Sequence, residues 1–236
     1  MKLEETKKQK TKKKKGPRGI FRYWLFDFVK ITGAIPALLW LRPKYIYENK
    51  AAKKRIKKNA VVVSNHVTFH DPVLLHCFVW YRRLRFMAAE DLYRTPKLDF
   101  FFSRILCIKV ERKNFNFSSF KDIVKELKAG HVVGIFPEGH IEQANEAEFS
   151  TFKSGAVMMA LMANAPIVPV YIVDRKKWYE RVKLIVGEPI RLENAGGGLP
   201  SLNDIEALSA DLREKEFKLK EIYNERKGKK CRKSST

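Results

Sequence analysis

The chain has 236 residues and a formal net charge of +22. An apolar content of 45% with 16 phenylalanines excludes a disordered chain, and the length suits one substantial α/β domain. The charge predicts an anionic partner, which could be nucleic acid, an anionic membrane or a phosphorylated substrate. Three cysteines stand far apart with no CxxC pair, which favours reduced cytoplasmic thiols over a zinc site or a disulfide framework: Cys77, Cys107 and Cys231.

Polybasic runs occupy both ends of the chain. Residues 1–18 read MKLEETKKQKTKKKKGPR, and the chain closes with ERKGKKCRKSST. Such runs are typical of flexible arms, which either only aid solubility or bind an anionic surface. An apolar segment follows the first arm directly, and this favours a membrane as that surface.

Residues 19–48 form this apolar segment, which carries many aromatic side chains. Its longest charge-free run, residues 31–41, is shorter than the roughly 20 residues that cross a bilayer. Asp27 and Lys30 interrupt its apolar character, and Pro36 predicts a break in a straight helix. We therefore expect an amphipathic helical segment in the membrane interface, with a helical hairpin packed on the core as the alternative.

The body of the chain, residues 49–200, alternates between strand-like and helix-like segments. The predicted strands are 60–65, 84–89, 107–112, 131–136, 166–173 and 182–190, and the predicted helices are 71–83, 95–106, 117–130 and 153–165. This alternation predicts an α/β fold in which a mixed, partly parallel sheet is flanked by helices on both faces, preceded by the amphipathic N-terminal segment. Residues 201–236 read as an amphipathic C-terminal helix with a basic tail.

Polar residues follow two of these strands, where ligands gather in sheets of this kind. His66 follows the strand 60–65, and the sequence FPEGH, residues 136–140, follows another. An imidazole can take a proton from an alcohol near neutral pH, and a carboxylate on its other nitrogen would fix its tautomer. Asp71 could supply that carboxylate, or it could cap the helix that begins with Pro72, and the two roles are compatible.

A nucleophilic hydrolase is the rival reading of this site. The sequence contains no GxSxG elbow, and Ser64 and Ser154 lie in the contexts VSNH and KSGA, which are not nucleophile motifs. Cys107 has no evident histidine partner in the sequence. A base that acts directly on an acceptor alcohol is therefore favoured over a covalent intermediate.

Four blocks in order resemble the lysophospholipid acyltransferase family, in particular its 1-acylglycerol-3-phosphate acyltransferases. They are NHVTFHD at 65–71, LCIKVER at 106–112, GIFPEG at 134–139 and APIVPV at 165–170. The resemblance spans residues 59–192. A single block is a weak signal, whereas four in the expected order are specific.

The resemblance implies the chemistry. An acyl thioester on coenzyme A or on acyl carrier protein would give its acyl group to a lysophospholipid hydroxyl, with His66 as general base and Asp71 as its orienting partner. No bound cofactor and no metal are expected. The residues that the resemblance assigns to substrate binding are Asn65, Arg112, Phe136, Pro137, Glu138, Gly139 and Lys153, with Arg112 on the acceptor's phosphate.

Two alternatives stay open. His140 and Ile141 follow FPEG where the family usually has a basic residue, so another lyso-lipid acceptor is the first alternative. A nucleic-acid-binding protein is the second, but it requires basic and aromatic residues interleaved on the folded body, and the densest basic runs lie at the ends instead. We expect a peripheral or monotopic protein on the cytoplasmic face of an anionic membrane, with no nucleic acid as partner.

An acyl chain also requires an apolar groove. The sequence offers two clusters that either line such a groove or pack as simple core. They are Phe100, Phe101, Phe102 and Ile105, and the helix segment 158–162.

Overall fold

A mixed seven-stranded sheet organises the described part of the chain. The computed structural model describes residues 23–110, 117–136, 146–173, 175, 177, 179–192 and 201–233. The strands are β1 (Lys44–Tyr47), β2 (Ala60–Ser64), β3 (Leu84–Ala89), β4 (Ile108–Val110), β5 (Val132–Ile135), β6 (Ile167–Val173) and β7 (Lys183–Val186). Their order across the sheet is β1-β7-β6-β2-β5-β3-β4.

The strand directions make the sheet mostly parallel. β2 lies between β5 and β6 and is parallel to both, and β3 is parallel to β5 and to β4. β7 runs antiparallel to β6, and β1 runs parallel to β7. The carboxyl ends of β2, β5, β3 and β6 therefore share one edge of the sheet.

Helices cover both faces of this sheet. They are α1 (Trp24–Leu41), α2 (Asp71–Phe78), α3 (Pro96–Arg104), α4 (Phe117–Lys128), α5 (Glu146–Met162) and α6 (Leu202–Lys233), with a 3-10 turn over Glu90–Tyr93. One apolar core joins α4, α5 and α6 to the sheet, and the other joins α2 and the end of α1 to its opposite face. The predicted fold, a partly parallel sheet between two helical layers, is confirmed.

Alternation along β2 shows how a short apolar run supports both cores. Val61 and Val63 point to the α4–α6 side, whereas Ala60 and Val62 point to the α2 side. All four side chains are fully buried. A strand that is apolar at each of these four positions fits this central place, since both of its faces are covered.

The structure differs from expectation mainly near the start of the described chain. α1 continues through Pro36 without a break, and its end is fixed to the core through Leu41, which is buried. Lys44–Tyr47, expected within the helical segment, pairs instead with β7 and extends the sheet. β-Branched and aromatic residues in KYIY suit a strand, but the partner lies about 140 residues further along the chain.

Two helices also have different bounds. α2 ends at Phe78 instead of residue 83, and α5 begins at Glu146 instead of residue 153. The helix α2 begins at Asp71 itself, with His70 as the cap position and no capping side chain. This placement frees the Asp71 carboxylate for the loop before the helix.

Candidate active site

The loop after β2 brings His66 and Asp71 together. The His66 Nδ1 lies 2.9 Å from the Asp71 Oδ2. The side chain of Asp71 is fully buried, whereas that of His66 is 18% exposed. The contact forms because the chain turns within five residues from a strand end into the first turn of α2.

Three further hydrogen bonds hold the Asp71 carboxylate. Its Oδ2 accepts from the backbone N–H groups of Val67, at 2.6 Å, and Thr68, at 2.7 Å. Its Oδ1 accepts from the Thr68 hydroxyl at 2.8 Å. A carboxylate surrounded by donors acts as an acceptor, so the His66 Nδ1 carries its proton towards Asp71 and Nε2 is left with a lone pair.

The end of β5 contributes an aromatic ring beside this pair. The register places Val63 of β2 opposite Ile135 of β5, so the residues that follow both strands emerge side by side. The Phe136 ring stacks on the His66 imidazole with centroids 4.4 Å apart and an interplanar angle of 22°. On its other side Phe136 stacks on Phe86 at 5.5 Å. The stack limits rotation of the imidazole.

A cavity of about 500 Å³ opens beside His66. Its wall is mostly apolar and combines the inner face of α1, one face of α2, the carboxyl-terminal part of β3 and parts of α3. A cavity of this size and polarity accommodates a hydrocarbon chain rather than a charged group. The lining residues include Phe26, Lys30, His66, His76, Phe86 and Cys107.

The expected groove residues divide between cavity and core. Phe101 and Ile105 of the α3 region line the cavity. Phe100 is largely exposed to solvent, and Phe102 packs on Tyr93. Met159 lies fully buried in the core on the other face of the sheet, so the 158–162 segment is core rather than groove.

Three polar side chains other than His66 reach the wall. Burial lowers the pKa of His76 to about 4, with a smaller effect from the nearby cation of Lys30. Burial also lowers the pKa of Lys30 and raises the pKa of the Cys107 thiol to about 12. The His76 and Cys107 side chains are therefore uncharged at neutral pH.

Of the other predicted substrate-binding residues, Asn65 has a structural role in the described part of the chain. Both polar atoms of the Asn65 amide bond the backbone of Ile172 in β6, at 2.9 and 2.7 Å, so this amide ties the loop to the neighbouring strand. Lys153 lies in α5, and its side chain is outside the described part. The remaining predicted substrate-binding residues lie outside the described residues: Arg112, Pro137, Glu138 and Gly139.

Sequence reasoning missed the contribution of α1 and of His76 to the cavity. Pro72, Val73 and His76 share one face of α2 because they stand three and four positions apart, and this spacing is the signal that could have identified the face. The lining residues of α1, which include Phe26, Val29 and Gly33, have the same helical spacing, but the sequence does not show that this face docks beside α2. No group of three His, Cys, Asp or Glu side chains that could hold a metal ion occurs in the described ranges.

Charged residues attach α1 to the body. The Arg83 guanidinium donates to both carboxylate oxygens of Asp27, at 3.1 and 2.8 Å. Lys30 donates to the backbone carbonyls of Trp80 and Arg82.

By length and composition α1 could cross a membrane, and only 11% of it is buried. Its 18 residues span about 27 Å, close to the ~30 Å of a hydrocarbon core.

The fold and a family match define the class of this protein. Residues 44–173 match the family model described as Acyltransferase. The chain belongs to this family and is an acyltransferase, which confirms the family resemblance found in the sequence.

Two bacterial proteins of the same name are similar to much of this chain. The chain is 31% identical over 169 residues to the 1-acyl-sn-glycerol-3-phosphate acyltransferase of Bacillus subtilis, covering 70% of this chain and 81% of that protein. It is 24% identical over 155 residues to a protein of the same name from Borreliella burgdorferi, covering 65% of this chain and 61% of that protein.

A solved structure shares the fold. The crystal structure of the 1-acyl-sn-glycerophosphate acyltransferase PlsC from Thermotoga maritima matches with a TM-score of 0.57 and 20% identity, covering 86% of this chain and 81% of that one. At this identity the match shows a common architecture.

Proposed function

We propose that the protein transfers a fatty acyl group from an acyl thioester to the free hydroxyl of 1-acyl-glycerol-3-phosphate, at the cytoplasmic face of a membrane. The observation that carries the proposal is the His66–Asp71 pair at the wall of an apolar cavity, in a chain of the acyltransferase family. The names of the relatives support the acceptor. The donor is an acyl thioester of coenzyme A or of acyl carrier protein.

His66 acts as the general base. Asp71 holds the Nδ1 proton, and Nε2 takes the proton of the acceptor hydroxyl while its oxygen attacks the thioester carbonyl. The tetrahedral intermediate then expels the thiolate. The thiolate receives from Nε2 the proton that came from the acceptor hydroxyl, and it leaves as a free thiol. The acyl group ends as an ester on the acceptor. Base catalysis of this kind contributes about 10²–10⁴-fold to a rate.

The outer face of α1 supports action at a membrane surface. It carries a row of large apolar side chains that are each 44–75% exposed: Trp24, Phe28, Ile31, Ile35, Leu38 and Leu39. Phe69, which lines the cavity, is exposed as well. A helix that keeps the bonds of Asp27 and Lys30 to the body lies along the domain, so we propose that it rests in the interface rather than crossing the bilayer.

A transfer assay tests the reaction. Purified protein on liposomes receives labelled acyl-CoA or acyl carrier protein donors and a panel of lyso-lipids that includes 1-acyl-glycerol-3-phosphate. We expect His66→Ala to lower kcat/KM by at least about 100-fold. His131→Gln is the matched control, because His131 precedes β5 and lies at the opposite edge of the sheet from Phe136. Full turnover by His66→Ala would refute the base, and preference for another lyso-lipid would refute the acceptor.

Vesicle flotation tests the membrane surface. We expect binding to vesicles that contain an anionic phospholipid, weakening with salt, because each basic residue near such a surface contributes about 1 kcal/mol. The double substitution Ile35→Glu and Leu39→Glu should weaken binding, whereas Leu202→Glu, exposed on α6, should not. Tight, salt-sensitive RNA binding without vesicle binding would favour the nucleic-acid alternative instead.

A further inference from the structure

A second histidine in the cavity wall has no part in the proposed reaction. His76 lies on the face of α2 that borders the cavity. A chain of ring contacts separates it from the reactive end: His66 stacks on Phe136, Phe136 stacks on Phe86, and Phe86 meets the edge of His76 at 5.0 Å. His76 therefore lies beside the part of the cavity that is away from the reacting atoms.

The surroundings of His76 are mainly aromatic and leave its Nδ1 unsatisfied. Its Nδ1 is buried and has no hydrogen-bond partner within the described part of the chain. Phe26 and Phe86 cover the ring by edge contacts at 5.4 and 5.0 Å. Because the cation is disfavoured there, the ring is a neutral imidazole with one donor nitrogen and one acceptor nitrogen.

The other polar groups of the wall are weaker candidates for binding a ligand. Lys30 already donates to the carbonyls of Trp80 and Arg82. The Cys107 thiol is a weak hydrogen-bonding group that behaves as a small apolar side chain. Among the described residues that line this wall, the His76 imidazole is thus the strongest hydrogen-bonding group away from His66.

We propose that His76 binds a hydroxyl group on the acyl chain, so that the protein prefers hydroxylated acyl donors to plain ones. The inference rests on the proposed function, because it takes the cavity as the place of the donor's hydrocarbon chain. A hydroxyl both donates and accepts, so it complements either tautomer of a neutral imidazole. The apolar wall around His76 contacts the rest of the acyl chain. The hydroxyl forms a hydrogen bond with His76, which a plain acyl chain cannot do.

The experiment moves one hydroxyl along the donor. A saturated long-chain acyl-CoA is compared with the same chain hydroxylated at successive positions, and the ratio of kcat/KM for hydroxylated and plain donors is measured in each variant. We expect a preference of roughly 2–10-fold, the range of one net hydrogen bond, confined to one or two adjacent positions. His76→Phe keeps an aromatic ring but no polar atom, and it should bring the ratio to one or below. His76→Gln should restore part of the preference, and Cys107→Val should keep it.

A binding measurement separates this inference from the proposed function. Non-transferable acyl thioethers of coenzyme A, plain and hydroxylated, are titrated against the full chain, and the ratio of their Kd values is expected to show the same preference. A ratio of one at every position, or a preference that survives His76→Phe, overturns the inference. Absence of transfer from every donor would refute the proposed function, and the Kd ratio would still decide the role of His76. If His76→Phe fails to fold, the donors hydroxylated at successive positions are compared on the unaltered protein and on His76→Gln. A preference confined to one or two adjacent positions and weakened in His76→Gln supports the inference, and its absence overturns it.

Discussion

His66 and His76 line the same cavity in opposite surroundings. His66 faces a buried carboxylate at 2.9 Å and keeps part of its ring exposed. His76 has aromatic edges beside it, and burial lowers its pKa to about 4. The first arrangement supports a proton acceptor, because Asp71 stabilises the imidazolium that forms. The second opposes one, because burial and the Lys30 cation both disfavour a charged ring.

The neighbouring groups, not the residue type, decide what each of these histidines can do. Both side chains have the same reference pKa of about 6.5. Asp71 is itself prepared by Val67 and Thr68, whose N–H groups fix its oxygens before any substrate arrives. Chemistry at His66 thus depends on a loop of six residues, whereas the surroundings of His76 depend on Phe26 of α1 and Phe86 of β3, which both contact its ring.

Loss of the carboxylate should have the largest effect. Asp71→Asn replaces one acceptor oxygen by an NH₂ group that faces donors, so His66 loses its tautomer and orientation. We expect kcat to fall by about 10²–10⁴-fold, with a loss of about 1–3 kcal/mol in the free energy of unfolding. Transfer assays and urea unfolding measure the two effects. Asp99→Asn, exposed on α3, is the matched control, and an unchanged kcat in Asp71→Asn would show that the two histidines do not differ through Asp71.

Loss of the stacked ring should have an intermediate effect. Phe136→Leu keeps an apolar side chain but removes the π face against which the His66 imidazole lies. We expect kcat to fall by about 2–10-fold, since aromatic pairs contribute about 0.5–1.5 kcal/mol. Phe217→Leu on the exposed side of α6 controls for a general loss of aromatic area. A kcat equal to that of the control would mean that Asp71 alone orients the ring.

The smallest effect concerns stability and pH. His76 has a folded pKa below its unfolded value, so the unfolded chain gains a proton first as the pH falls. The stability from keeping the ring neutral is complete above about pH 6.5 and decreases down to about pH 4. Between pH 7 and pH 5 the unaltered chain should lose about 1–2 kcal/mol more than His76→Phe does. Urea unfolding at both pH values measures this, and parallel losses would show that His76 does not resist protonation.

Most of the fold followed from local patterns. Strand 60–65 contains a run of three valines, helix 117–130 has its apolar positions at helical spacing, and the alternation of such segments predicted a sheet between two helical layers. Periodicity reports which faces are apolar, and this is enough to predict layers. The strand Lys44–Tyr47 was missed because its four residues carry no period long enough to distinguish them from the end of a helix.

The site was predictable only in part. His66 and Asp71 were found because His66 follows a strand, both belong to an ordered set of blocks, and their spacing permits contact across a turn. The tether from Asn65 to Ile172, the stack of Phe136 on His66 and the place of His76 were not predictable. The tether and the stack each join residues at least 70 positions apart, and only the order of strands in the sheet brings these residues together.

The amino-acid sequence by itself determined the alternating elements, the family and the pairing of an imidazole with a carboxylate, because these depend on residues close together in the chain. The tertiary structure alone decided that α1 forms one wall of the cavity, that Phe136 covers His66 and that a neutral His76 lies in the apolar part. The physical reason is that burial and pKa depend on every element packed around a side chain, and no local pattern contains that information.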